Sequence, residues 1–131
     1  MKNIQLILLV LVAIISTNSF AQEDIPNNLI TKIDFLNLKA KQNLNKPDSL
    51  IYYGNNAYEL AKSINYKNGE ANALKFIGIH AHLKSNFDEA INYYVQSLNI
   101  FKDLNNELEI GKINLNIATS YNSKVDYVNS T

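Results

Sequence analysis

Between Leu74 and Phe101 the apolar positions recur twice with a helical period, on either side of a short polar break. Leu74, Ile77, Gly78 and Ala81 fall at i, i+3, i+4 and i+7. Phe87, Ala90, Ile91, Tyr94, Leu98 and Phe101 continue the same rhythm after Lys84-Ser85-Asn86. Positions so spaced share one face of an α-helix. The pattern predicts two amphipathic helices joined by a tight turn. Asn86 is placed to cap the second helix. Asp88 and Glu89 follow in its first turn, where the helix dipole favours negative charge.

The rest of the chain reads in the same way. Leu29, Ile33, Leu36, Ala40 and Leu44 predict a helix over 29–44, with a break over 43–46. Pro47 suits the first position of the next helix, where its missing N–H costs nothing. That helix runs to Ile64, with Leu50, Gly54, Ala57, Tyr58, Ala61 and Ile64 on one face. Gly54 weakens a helix interior by about 1 kcal/mol, so close approach of a neighbouring helix is expected there. Asn65, Asn68 and Gly69 tolerate left-handed geometry, which predicts a turn over 65–69. Asn105-Asn106 gives the next break. A helix is predicted from Glu107 to Asn122, with Ile110, Ile113, Ile117 and Tyr121 in phase, then a turn at Ser123–Val125 and a new helix starting at Asp126.

A shift of 40 residues returns the pattern. Asp48, Ile51, Tyr53, Lys62 and Asn65 fall on Asp88, Ile91, Tyr93, Lys102 and Asn105, and Ile77-Gly78 falls on Ile117-Ala118. Phe87 has Tyr127 as its counterpart. A fixed period with helix–turn–helix content is the mark of a solenoid, in which each unit buries its apolar face on its neighbours. The 70–104 unit resembles a tetratricopeptide repeat (TPR). It carries Leu74, Ile77-Gly78, the small Ala90, Tyr94 at the usual aromatic position and Ser97 where alanine is usual. Ala81 and Lys102 depart from the family pattern, which has tyrosine and often proline there. The basic repeat has about 34 residues, and the longer unit here resembles the long-helix variant in extracytoplasmic regions of bacterial signalling proteins. HEAT and armadillo repeats have similar lengths, but the glycine–aromatic spacing favours TPR. The match is weaker over 29–45, where Leu38 replaces the small residue of Gly78 and Ala118. The fold expected is an all-α TPR-type helix-turn-helix solenoid of about two and a half repeats. Its units are about 29–64, 69–104 and an incomplete 107–131.

The amino terminus stands apart. Lys2 precedes an apolar run from Leu6 to Ile15, and Ser19 and Ala21 give a small-x-small pattern before Gln22. This is the layout of a signal peptide over 1–21. The run is short for a membrane span, which needs about 20 residues. Residues 22–28, polar and containing Pro26, are expected to form a linker. Export places the mature chain in a periplasmic or other extracytoplasmic compartment of a bacterium, with no membrane span once the signal is cleaved.

Composition narrows the function classes. The formal net charge is zero and all 12 basic residues are lysine. Neither the charge excess nor the arginine fork that suits phosphate and base edges is present, which argues against nucleic acid. The sequence has no cysteine, hence no disulfide framework, thiolate metal site or lipoprotein anchor. His80 and His82 point about 200° apart on a helix and cannot chelate one metal. Asp88-Glu89 reads as a helix first turn. The four glycines are isolated, so no phosphate loop is formed, and no nucleophile–base spacing is recognisable. Asp48-Ser49-Leu50 and Asn129-Ser130-Thr131 match short glycosylation patterns; an ordinary helix start explains the first, and the second is expected to have no significance in a bacterial product. No catalytic residue, cofactor site or metal site is assigned, and the chain reads as a non-enzyme.

What remains is binding. The resemblance implies a concave groove lined by the first helix of each unit, holding a peptide or a partner helix. Carried onto this sequence, those positions are Lys32, Phe35 and Lys39; Asn72, Lys75, Ile79 and His82; and Lys112, Leu115, Thr119 and Asn122. Of the positions that clamp a terminal carboxylate in some TPRs, Phe35, Lys39 and Phe76 disagree and only Lys112 agrees, so that activity is not implied. The expected function is an exported protein–protein interaction module. The alternative is the sensory input region of a membrane histidine kinase or helix-turn-helix regulator in signal transduction, of which residues 1–131 would be the front portion. No kinase core or DNA-binding helix is recognisable in the sequence.

Overall fold

The structure is a computed structural model that describes residues 27–131. The signal peptide expected over 1–21, and most of the linker, lie outside the described residues. Among the described residues the chain forms five α-helices and no strand: α1 (Asn27–Gln42), α2 (Pro47–Ser63), α3 (Lys67–Leu83), α4 (Phe87–Asp103) and α5 (Glu107–Ser130). Each begins 20 residues after the one before. Consecutive helices pack on each other, and α1 and α5 each also touch α3.

The turns explain that regular spacing. After α2, α3 and α4 a single residue takes left-handed backbone, Asn65 (φ 55°), Ser85 (φ 60°) and Asn105 (φ 54°). Its N–H bonds back to Lys62, His82 or Lys102, and the next N–H bonds to the carbonyl of Ala61, Ala81 or Phe101. These bonds satisfy carbonyls that the helix end leaves open and reverse the chain in three residues. The following residue then starts a new helix. The turn after α1 is different: Asn43 donates to Ala40 and Lys46 to Asn43, with no left-handed residue.

Three expectations are corrected here. Asn27 and Asn28 already belong to α1, where the Asn27 carbonyl accepts from Thr31 Oγ1 at 2.9 Å. Asn68 and Gly69 are not in a turn. They sit in the first turn of α3, and only Asn65 is left-handed. Gly69 is needed for closeness instead, because a Cβ there would lie 2.6 Å from Ile33 Cγ2 and 2.5 Å from Tyr66 Cδ1. The turn expected at Ser123–Val125 does not form, and α5 continues to Ser130. The position equivalent to Asn65, Ser85 and Asn105 is Val125, and a β-branched residue strongly disfavours left-handed backbone. Continuing as a helix also lays Lys124 against Asp88 and Tyr127 against Phe87.

Asn86 and Asn106 occupy N-cap positions. Asn106 makes the capping bond, accepting from the Glu109 N–H at 3.2 Å. Asn86 does not, and its amide points to Glu89 at 3.4 Å.

The core follows the apolar faces. Ala71, Ala81, Ala90, Tyr94, Leu98, Phe101 and Ile113 form the larger cluster, joining α3, α4 and α5. Ala40, Leu50 and Phe76 form the smaller one between α1, α2 and α3. Burying a side chain the size of Leu or Phe contributes about 1.5–3 kcal/mol. Small residues set the helix spacing. At Gly54 a Cβ would stand 3.3 Å from Ile77 Cγ1, the close approach expected of it. Ser97, fully buried on α4, donates to the Ala71 carbonyl at 2.7 Å.

Candidate functional site

An open groove of about 600 Å³ runs across the first, third and fifth helices. Helix α3 forms its floor through Asn72, Lys75, Phe76 and Ile79. On one side stand Asp34, Asn37, Leu38 and Lys41 of α1 with Leu44, and on the other Glu109, Lys112, Leu115 and Asn116 of α5.

Lys75 is the centre of the floor. Its ammonium lies 2.5 Å from Glu109 Oε2 and 3.0 Å from Asn72 Oδ1. It also stands 5.1 Å from the centre of the Phe76 ring and 5.9 Å from that of Phe101. Both partners of the ion pair are largely buried, with side chains 12% and 13% exposed. Glu109 is gripped from the other side by Lys112, at 2.7 Å. Burial raises the Glu109 pKa, but the hydrogen bonds from Lys112 and Lys75 and their charges outweigh it, and the carboxyl sits below its ordinary range. Burial, the largest influence on Lys75, lowers its pKa although the Glu109 bond raises it. The close contact makes this a charged pair whose lysine carries a desolvation cost.

Asn37 is 8% exposed. Its amide donates to the Gly69 carbonyl at 3.0 Å, and its Oδ1 has no partner among the described residues. Asp34 accepts from the Tyr66 hydroxyl at 3.1 Å. The lining therefore mixes three lysines and two carboxylates with Leu38, Leu44, Phe76, Ile79 and Leu115. Such a surface suits an elongated, mixed or acidic ligand. It offers no nucleophile–base pair, and no cluster of metal-ligating side chains exists among the described residues.

Of the groove residues expected from the sequence, the structure gathers five: Asn72, Lys75, Ile79, Lys112 and Leu115. The other six lie elsewhere. Lys32 and Phe35 are exposed, and Lys39 covers the Phe35 ring at 5.4 Å. They sit on a face of α1 turned about 140° from its groove residues, at about 100° per residue. The buried Ile33, Asn37 and Ala40 seat the helix that way round. His82 is outside the groove lining, two turns beyond Lys75 on nearly the same face of α3. Its Nδ1 hydrogen-bonds Ser120 Oγ at 2.8 Å and its ring packs edge-on to Phe87. Thr119 bonds back to the Leu115 carbonyl, and Asn122 is exposed.

Glu109, Asn37 and Asp34 were missed. Glu109 left a sequence signal, since it stands three residues before Lys112 in the first turn of its helix. Asn37 left another, as a polar residue in phase with Ile33 and Ala40. His80, half-buried on α3, has its pKa lowered by burial and by the nearby Lys84, and it does not reach the groove.

The molecule is thus an all-helical protein with an open, mixed-polarity groove on alternate helices. Scans against protein-family models, curated proteins and solved structures return no match.

Proposed function

We propose that the chain is a TPR-type interaction module, non-catalytic and exported, that holds an extended peptide or a partner helix in the α1–α3–α5 groove. The observation that carries the reading is the groove itself, which takes its lining from every second helix as a solenoid of paired helices would supply it. The 20-residue spacing of the helix starts and the repeated turn geometry support a solenoid. The packing of Gly78 against Tyr94 and the Ala90 carbonyl supports the TPR assignment within it. Export rests on the residue pattern of 1–21. Among the described residues no helix is long and apolar enough to cross a membrane.

A displayed library of random 12-residue peptides, panned against the purified protein, tests this reading. Selected peptides should be enriched in acidic and apolar residues and should lose at least tenfold in affinity against Ile79→Asp and Leu115→Asp. Peptides that bind those variants as well as wild type, or a library that yields no binder, would remove the groove from consideration.

A further inference from the structure

The groove has two unlike edges, which appear when each of its helices is followed from the N-terminus. On α1, Asp34 and Asn37 come first and Leu38 follows, with Leu44 just past the helix end. On α3, Asn72 and Lys75 come first, then Phe76 and Ile79. On α5, Glu109 and Lys112 come first, then Leu115. Successive helices pack on each other across short reversals, so α1, α3 and α5 run in the same direction. The polar members therefore share one edge of the groove and the apolar members the other. Lys41 and Asn116 interrupt the apolar edge.

The groove is open irrespective of where the chain ends. Helix α3 has neighbours in place on both sides, and its lining residues still face the opening. At the 40-residue shift Asn72, Lys75 and Phe76 fall on Lys112, Leu115 and Asn116, so α5 presents the same open face as α3.

Size limits the occupant. Helices packed side by side stand about 8–10 Å apart, so the crossing from α1 over α3 to α5 covers about 16–20 Å. Extended chain rises about 3.3 Å per residue, and about six residues make that crossing. A helix of the same length, about 10 Å across, has a volume of about 1,600 Å³. The groove holds about 600 Å³. Polarity points the same way. An amphipathic helix that lays its apolar stripe in the groove turns its polar face to solvent, and the polar edge would be covered by apolar side chains. Extended chain instead projects successive side chains to opposite sides. Lying across the three helices, it sends every second side chain to the polar edge and the others to the apolar edge.

We propose that the groove takes an extended segment of about six residues in which apolar and polar side chains alternate, with an acidic residue among the polar ones. This deepens, and rests on, the reading of the groove as a peptide site. The acid follows from the free charge. Lys75 is enclosed with Glu109, whereas Lys112 is half-exposed. An ammonium has three donors, so Lys112 has capacity for a second carboxylate beside Glu109.

Fluorescence anisotropy with three labelled hexapeptides tests the pattern. Thr-Val-Gln-Leu-Glu-Val alternates. Thr-Gln-Glu-Val-Leu-Val has the same composition and charge in two blocks. Thr-Val-Gln-Leu-Gln-Val alternates without the acid. The first should bind the full chain about fivefold or more tighter than either of the others. Lys112→Met should remove the preference for the glutamate peptide over its glutamine version. An amphipathic helical peptide of Leu, Glu, Lys and Ala is the competing occupant. Equal binding of the alternating and block peptides, tighter binding of the helical peptide, or a glutamate preference that survives Lys112→Met would each overturn the inference. In those cases binding that is lost against Ile79→Asp would keep the groove as a peptide site. If no hexapeptide binds, the inference falls as well, and the panned library decides whether the peptide-groove reading falls with it.

Discussion

Gly78 and Tyr94 are packed so closely that a Cβ on residue 78 would stand 2.7 Å from Cε1 of the tyrosine ring. Tyr94 is 2% exposed, and burial pushes its phenol above the ordinary tyrosine range. The ring fills the space between α3 and α4 that the missing side chain leaves. Tyr94→Ala should cost about 3–5 kcal/mol, the loss of a core aromatic plus its cavity. Gly78→Ala should cost about 1–3 kcal/mol by overpacking, and Gly78→Leu more. Urea denaturation followed by circular dichroism measures both. A Tyr94→Ala protein that melts within a degree or two of wild type would mean that the inward face has been misassigned.

Glu109 is bonded by two lysines that differ in burial, and the difference predicts unequal effects. Lys112 is half-exposed at 53%, and removing an exposed ion-pair partner costs about 0–1 kcal/mol. Lys75 is largely buried. Glu109→Gln leaves its charge without a counter-ion and should cost about 2–3 kcal/mol, below the range for a wholly buried pair because some exposure remains. The pH dependence follows from the lowered Glu109 pKa. In the unfolded chain the carboxyl protonates near 4.5 and in the folded chain only at lower pH. Its contribution is therefore complete above the unfolded value and is lost as pH falls through the folded one. The stability gap between wild type and Glu109→Gln should close in acid and be full at neutral pH. A gap that is constant with pH would contradict the ion pair.

Ser85 holds left-handed backbone that Asn65 and Asn105 hold in the sister turns. A residue with a Cβ pays about 1–2 kcal/mol for that conformation, asparagine less, and glycine nothing steric. Part of the gain from glycine is returned as unfolded-chain entropy. Ser85→Gly should thus stabilise by about 0.5–1 kcal/mol, and Ser85→Asn by less. The side chain is exposed, so no packing is lost. A lower melting temperature for Ser85→Gly would show that the hydroxyl has a role the turn geometry does not display.

How far the sequence could be read depended on how each helix declares its inner face. The stretch from Leu74 to Phe101 declares it most clearly, because large apolar residues and the Gly78–Tyr94 pair fall on one stripe and bury as expected, with Phe87 and Ile91 only half-buried. The α1 face did not transfer from α3. Lys32, Phe35 and Lys39 follow from a 40-residue shift, but the helix is oriented by Ile33, Asn37 and Ala40, and its turn into α2 lacks the left-handed residue of the others. Gly69 was misread because glycine serves two needs, backbone freedom and close approach, and only the position of Ile33 and Tyr66 tells which applies. The uninterrupted α5 was hidden for the opposite reason: its continuation depends on Lys124 and Tyr127 meeting α4, contacts more than 30 residues distant in sequence. Part of the groove was legible because Asn72, Lys75, Lys112 and Leu115 lie on the faces that the repeat pattern assigns to it, whereas Glu109 enters through its tertiary contact with Lys75.

Asn37 supplies a sharp test of the α1 side of the groove as a balance of polar interactions. Its amide makes one bond, to the Gly69 carbonyl, while its Oδ1 is buried without a partner among the described residues. A neutral hydrogen bond contributes about 0.5–1.5 kcal/mol net, and a buried unpaired acceptor costs about 1–3 kcal/mol. Leucine is close in volume, forms helix more readily than asparagine by a few tenths of a kcal/mol, and would sit among the apolar neighbours Leu38 and Phe76 that share the groove lining. Gly69 loses only a second bond, since its carbonyl lies within α3. Asn37→Leu should therefore stabilise the protein by about 1 kcal/mol. Asn37→Asp, nearly the same shape, should do the reverse. It removes the donor to Gly69, brings the Asp carboxylate against a carbonyl, and buries a charge, with an expected loss of more than about 2 kcal/mol at neutral pH. Thermal melts of the two variants, run side by side, should move in opposite directions. If both fall, the Oδ1 of Asn37 is satisfied by water in the groove and carries no penalty for the substitution to relieve.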